Sequence, residues 1–235
     1  MTDNKPTLHH LNDSQSQRIL WLLEELTIPY NLVLHTRNPP HDPRRPFLSP
    51  PSILALGSYG QAPILITGAL DGTRTITESS AIATYLIRTF DTADNFGLCN
   101  GDWIRDEQLV SLSNVLGRNC AEIMMVEFGY IKGAKVNPLD AQALRKTLEH
   151  LERELKERPA GEWFMGARPG RADVMLEFYV SMLKQRQYLD LRKEFPGLDA
   201  WLGRIESRPA WKAAMEKGNG YDLNTFPKIG RKDKL

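Results

Sequence analysis

LNDSQSQRILWLLEEL, residues 11–26, changes its hydrophobic period partway along. Just before it, TLHHL at 7–11 has the length and composition of a short strand. After the polar run Asn12–Gln17, Ile19, Leu20, Leu22, Leu23 and Leu26 fall on one helical stripe, with Glu24 and Glu25 on the other side. Pro29 is a stop signal, and Tyr30–His35 reads as a second strand. Strand, helix and strand in this order open an α/β unit. Two serines, Ser14 and Ser16, stand where the first strand turns into the helix.

Downstream, NPPHDPRRPFLSPP at 38–51 is too rich in proline for a helix or a central strand and reads as a loop. A helical turn at Ser52–Leu56 follows. Ala62–Thr67 is a third strand, and the Asp71-Gly72 turn pairs it with a fourth, TRTIT at 73–77. A helix begins at Glu78, with Ala81, Ile82, Tyr85, Leu86 and Phe90 as its apolar face. The order βαβαββα implies a mixed sheet flanked by helices. DTADNFGLCNG at 91–101 reads as a linker, and everything after it is helical in pattern. Helices are expected from Asp102 to Phe128, from Pro138 with Leu144, Leu148, Leu151 and Leu155 in register and Glu152 supporting Lys156, across ADVMLEFYVSMLKQ, and around Leu198, Trp201, Leu202 and Ile205, stopped by Pro209.

With 30 Lys+Arg against 29 Asp+Glu, the chain carries no overall electrostatic footprint for nucleic acid or an acidic membrane. The basic tail KIGRKDKL reads as a solvated terminus. Cys99 and Cys120 match no metal spacing and are expected to be reduced thiols. His9 and His10 have no metal-like partner and read as structural, so no metal is expected. The N-terminus has no apolar leader pattern, and no apolar run reaches membrane-spanning length. These features lead to the expectation of a soluble cytoplasmic protein.

The layout resembles the glutathione S-transferases, and the resemblance covers nearly the whole chain. LNDSQSQRILWLLEEL is similar to the serine-type branch, in particular to microbial and fungal members. GQAPIL resembles the family's cis-proline strand, TESSAIATYL its glutamate-serine motif, and FPGLDAWLGRIESRPAWKAAMEKG its last helices. The resemblance implies a thioredoxin-like, glutathione-binding domain at 1–91 and an all-helical domain at 102–235 that contributes the electrophile site. It implies a cytoplasmic, homodimeric enzyme of the detoxification type that activates the thiol of glutathione, its co-substrate, for attack on a hydrophobic electrophile. Two other readings stay open: a glutathione-dependent isomerase or dedicated biosynthetic conjugating enzyme, and a non-catalytic binding module of the same fold.

The motifs make physical sense for that chemistry. Glutathione is an extended peptide, and a cis bond before Pro63 would turn the backbone of Ala62 outward to pair with it by strand addition; a trans proline on an edge strand is the alternative. Gln61 is a further candidate contact. Glu78 and Ser79 stand at a helix N-terminus, which favours anions. By resemblance, Ser79 takes the γ-glutamyl carboxylate and Glu78 the amine, while Thr77 as a plain cap would be compatible with both. Glutathione brings its own thiol, so the enzyme needs a group that stabilises a thiolate, and a hydroxyl beside a helix N-terminus does so. The resemblance places that hydroxyl at Ser14, four residues before Arg18, with Ser16 and simple capping as alternatives. Arg18 reads as structural or as a distant electrostatic helper.

By resemblance, His41, Arg44 and Arg45 are candidates for the glycine carboxylate. An electrophile site between the domains would be lined by the loop at Leu11-Asn12 and by Asn119, Met124, Met125 and Phe128. Gly170 stands where the family has a Ser or Thr cap, which leaves Asp173 without its usual reciprocal partner.

Overall fold

The computed structural model describes residues 4–43, 46–57, 60–127 and 138–226. The chain forms two compact units, one comprising residues 1–94 and 207–221 and the other residues 95–206 and 222–235. In the first unit the order is β1 (Thr7–Leu11), α1 (Ser16–Glu25), β2 (Asn31–His35), α2 (Pro51–Leu54), β3 (Ile64–Ile66), β4 (Thr75–Ile76) and α3 (Ser79–Phe90). This is the expected βαβαββα order. The sheet is mixed, β2-β1-β3-β4, with β1 and β2 parallel and the other pairs antiparallel. β3 is shorter than the expected Ala62–Thr67, and it starts only at Ile64 because Pro63 has no N–H to give the ladder.

α1 carries more than an amphipathic stripe. Ile19, Leu20, Leu22 and Leu23 are fully buried as expected, but so is Trp21 on the opposite side, while Leu26 is only half-buried. The reason is a last helix, α9 (Pro209–Lys217), which returns from the far end of the sequence to pack on α1. Trp21 meets Trp211 edge-on at 5.7 Å, and Trp211 meets Tyr221 in the same way at 5.8 Å. Arg208 and Lys217 pair with Glu25 and Glu24, so the polar face of α1 is also spoken for. On α3 the buried face is Ile82, Ala83, Leu86 and Ile87. That is rotated from the expected stripe: Ala81 is exposed, and Tyr85 turns its hydroxyl to Asp71.

The second unit holds α4 (Trp103–Glu127), α5 (Pro138–Lys156), α6 (Arg171–Gln185), α7 (Leu191–Glu194) and most of α8 (Pro196–Ser207). Pro209 ends α8 as expected and also opens α9 at its first turn, where a missing N–H costs nothing. α7, a single turn, has too few residues to leave a periodic signal. α4 and α6 run side by side in the same direction. Arg171 pairs with Asp106 at one end (2.6 Å), and Arg186 with Glu127 at the other (2.7 Å), all four buried. Between these pairs Gly117 faces Tyr179: a Cβ there would fall 2.5 Å from the ring Cζ. Gly117→Ala is therefore expected to destabilise by about 1–2 kcal/mol in urea unfolding, because overpacking outweighs the helix-propensity gain of about 1 kcal/mol.

Glu152 makes the expected i,i+4 pair with Lys156 at 3.1 Å. It also accepts the N–H groups of Gly197 and Leu198, both at 2.9 Å, and so caps α8. Asp173 is fully buried at the start of α6. Its carboxylate accepts the Gly170 N–H at 2.8 Å, the Trp201 Nε1–H at 2.8 Å and the Phe164 N–H at 3.2 Å. As expected, Gly170 has no side chain to return a bond to the Asp173 N–H, so only the half running from the Gly170 N–H to the Asp173 carboxylate is made. A Cβ at Gly170 would lie 2.5 Å from Met165 Cγ, so Met165 occupies the room a serine or threonine cap would need.

Among the described residues, no helix is long and apolar enough to cross a membrane. The basic tail lies outside the described residues apart from its neighbours before 227.

Candidate glutathione site

The sheet register collects the motifs at one end of the first unit. β1 and β3 pair antiparallel with His9 opposite Ile64, so the loop after Leu11 lies beside the residues that precede Ile64. β3 and β4 pair with Leu65 opposite Ile76, which brings Thr77, Glu78 and the start of α3 to the same end. A concavity there is lined by Gln15, Gln61, Ala62, Pro63, Thr77, Glu78 and Ser79. Five of the six residues singled out from the sequence are thus brought together.

The local conformations follow from the sequence. The Ala62–Pro63 bond is cis. Glu78 has φ +65°, a left-handed conformation that costs a non-glycine residue of order 1 kcal/mol, and it makes the step from β4 into α3. The Ile82 N–H bonds the Glu78 carbonyl at 2.9 Å, so the N–H groups of Ser79, Ser80 and Ala81 form the open first turn of α3. Beneath this turn lies Arg18, buried in α1. Its guanidinium donates to Ser79 Oγ at 2.7 Å and to the side-chain carbonyl of Gln15. A buried cation is therefore bonded to two of the lining residues, and it adds to the positive end of the α3 dipole. The arginine was legible as part of a pattern in the sequence, but its reach to Ser79 was not. Gln15 carried no signal beyond its place beside Ser14.

Ser14 lies next to Gln15 and is not among the lining residues of the concavity; it is 4% exposed. Its hydroxyl donates to the Leu11 carbonyl at 2.7 Å and accepts the Ser16 N–H at 3.1 Å. Ser16 is fully buried, and its Oγ accepts the Leu11 N–H at 3.0 Å. The two hydroxyls are also bonded to each other. Ser16 thus ties the strand to the helix, and Ser14 is the more exposed member of the pair.

Arg37 is a residue that sequence reasoning missed. Its guanidinium donates to the carbonyls of Asn12 (3.1 Å), Asp13 (3.0 Å) and Phe47 (2.9 Å), and its N–H goes to Asn12 Oδ1 (2.8 Å). It therefore ties the loop before Ser14 to the loop after β2. An isolated arginine in a proline-rich loop gives no sequence signal for such a clamp. The histidines form a chain in the sheet: His9 Nδ1 lies 3.0 Å from His35 Nε2, and His35 Nδ1 lies 2.8 Å from Ser52 Oγ. Burial, with the His35 ring beside it, holds His9 below the usual histidine range, burial alone does the same to His35, and burial pushes His10 down to about 4. Among the described residues no cluster of three or more His, Cys, Asp or Glu is placed to hold a metal.

His41 is exposed and does not line the concavity, while Arg44 and Arg45 lie outside the described residues. In the second unit, on α4, Asn119 is buried, Met124 half-buried and Met125 43% exposed; Phe128 lies outside the described residues. Among the described residues neither cysteine forms a disulfide; Cys99 is exposed and Cys120 buried.

An α/β unit of βαβαββα order with a polar concavity at its strand ends, followed by a helical unit, is the layout of glutathione-dependent transferases. Residues 14–89 match the model of the glutathione S-transferase N-terminal domain and residues 134–204 that of the C-terminal domain. Glutathione S-transferase 3 of Schizosaccharomyces pombe is 27% identical over 95% of this chain and 92% of its own. Among solved structures, a glutathione S-transferase from Actinobacillus pleuropneumoniae superimposes with a TM-score of 0.74 at 25% identity, covering 94% of this chain and 96% of that one. The glutathione transferase URE2P8 of Phanerochaete chrysosporium, solved with oxidized glutathione, has a TM-score of 0.70 at 21% identity, covering 92% and 95%. The chain belongs to the glutathione S-transferase family. It is a glutathione transferase of microbial and fungal type, with glutathione as its co-substrate.

Proposed function

We propose that Ser14 activates the glutathione thiol and that Gln61, Ala62, Pro63, Glu78 and Ser79 hold the tripeptide for attack on an apolar electrophile. The observation that carries this reading is the convergence, at one sheet end, of the open first turn of α3, the residues preceding β3 and the buried Arg18 bonded to Ser79. The γ-glutamyl carboxylate sits on the Ser79 hydroxyl and the first-turn N–H groups, and its amine meets the exposed Glu78 carboxylate. The cysteinyl backbone pairs with Ala62, and Gln61 contacts the peptide beside it. The sulfur then lies toward the start of α1. Ser14 turns its hydroxyl hydrogen from the Leu11 carbonyl to the sulfur as the thiol proton leaves to water. The thiolate attacks the electrophilic carbon, forming the C–S bond as a leaving group departs or as water protonates the adjacent carbon.

The family resemblance supports a cytoplasmic homodimer with a role in detoxification.

Calorimetry with glutathione tests the binding half: tight binding by the wild type is expected, and its absence would overturn the reading. Arg18→Lys is expected to raise the Kd for glutathione by about tenfold, because one ammonium cannot reproduce the guanidinium's two directed bonds. The pKa of the bound thiol, read from its ultraviolet thiolate band, should stay nearly unchanged.

A further inference from the structure

The loop that carries Ser14 is held by a segment from the other end of the chain. The Asp13 N–H donates to the Gly220 carbonyl at 3.0 Å. The Asn219 side-chain amide donates to the His35 carbonyl at 2.8 Å, the same carbonyl that accepts the Asn12 N–H at 3.2 Å. With the Arg37 bonds to the carbonyls of Asn12 and Asp13, the backbone of the loop is fixed from both sides. This hold matters because Asp13 has φ +48°, a conformation that a non-glycine residue keeps only when its surroundings impose it.

The segment is itself built for that position. Gly220 has φ +123°, which is open only to glycine, and this conformation sets the direction of its carbonyl. Gly218 lies so close to α1 and β1 that a Cβ would stand 3.3 Å from Gln17 Oε1 and 3.4 Å from His10 Nε2. Gln17 also donates to Met215 Sδ at 3.3 Å. Asn219 makes its one bond while its Oδ1 stays buried without a partner among the described residues, a local cost that points to the amide's donation as its role. Trp211 packs edge-on against Trp21 of α1, and Tyr221, just past the segment, packs edge-on against Trp211.

Resting on the reading of Ser14 as the thiol-activating group, we infer that Asn219 and Gly220 are positioning residues for thiol activation. The C-terminal strap sets the backbone of Asn12 and Asp13 and thereby aims the Ser14 hydroxyl. Neither residue lines the concavity, so the strap governs activation of the thiol rather than binding of the peptide.

Asn219→Ala and Gly220→Ala test this in the full-length protein, alone and combined with Ser14→Ala. Hydrogen exchange of the peptide spanning residues 11–17 needs no ligand and should quicken in both variants. In turnover, kcat should fall about tenfold and the bound thiol pKa rise by about one unit, with KM for glutathione within about twofold of the wild type. In the Ser14→Ala background the strap variants should add almost nothing. Asn219→Ala leaves the backbone intact and serves even where Gly220→Ala fails to fold.

Unchanged exchange across 11–17 overturns the inference, whatever the activity. An equal loss with and without Ser14 overturns it too, since the strap then acts only on folding. A wild type that binds glutathione without a thiolate band removes the activation reading, and quickened exchange in the variants then marks the strap as structural alone.

Discussion

Asp173→Ala is expected to destabilise the second unit by about 3–5 kcal/mol, the range for removing one member of a buried, hydrogen-bonded polar group. The carboxylate serves three donors from three parts of the chain: Gly170 before α6, Phe164 in the preceding loop and Trp201 in α8. Alanine leaves all three N–H groups without their acceptor, and it leaves a hole beside the edge-on pair of Phe164 and Trp201. Urea unfolding should show the loss as a lower midpoint with an unchanged slope.

The pH dependence gives a sharper check. Burial pushes the Asp173 carboxyl up to about 6, against the pull of its N–H donors. Its folded pKa thus lies above the unfolded value of 3.8. A raised pKa means the folded state holds the proton more tightly, so this contribution to stability is fully present below about 4 and is lost as pH rises through about 6. Asp173→Asn cannot titrate, and its stability should vary less than that of the wild type between those two pH values. A variant that retained the wild-type slope would show that another group is responsible.

Ser14→Ala is expected to lower kcat/KM at neutral pH by about 10–100-fold while leaving glutathione affinity nearly unchanged. A hydrogen bond to an ionised group contributes about 1.5–3 kcal/mol, and each pKa unit corresponds to about 1.36 kcal/mol. The bound thiol should therefore rise by about one to two units. The thiolate is the form above the pKa, so the defect should shrink as pH is raised toward 9 and widen as it is lowered. A uniform loss at every pH would mean that the serine supports the loop and does not touch the sulfur. That alternative has substance, because Ser14 Oγ also accepts the Ser16 N–H at the start of α1. Thermal denaturation of the same variant measures this capping share, expected at about 1 kcal/mol.

Much of the candidate site is legible in the sequence. A hydroxyl before a helix, a proline opening a strand and a Glu-Ser pair opening another helix are local patterns, each with a local physical meaning. The structure places Gln61, Ala62, Pro63, Glu78 and Ser79 around one concavity. Gln15, Arg18 and Arg37 were not legible in these roles. Arg18 and Arg37 act on residues far along the chain or through backbone atoms, which leaves no mark in hydrophobic period, and Gln15 joins the site only through its place beside Ser14 and its bond to Arg18. The face of α3 was misjudged for a related reason: with Ala, Ile, Tyr and Leu in one segment, several stripes are equally apolar, and packing chooses between them.

The chain's own sequence determined the order of strands and helices, the mixed sheet and the helical second half, because period, turn residues and proline act over a few neighbouring positions. Tertiary structure alone decided that α9 would bury Trp21 from behind, that Met165 would fill the place of a helix cap, and that Gly220 would bond Asp13. Those contacts join residues widely separated in the chain. Their free energy comes from shape and hydrogen-bond geometry that exist only once the elements have docked.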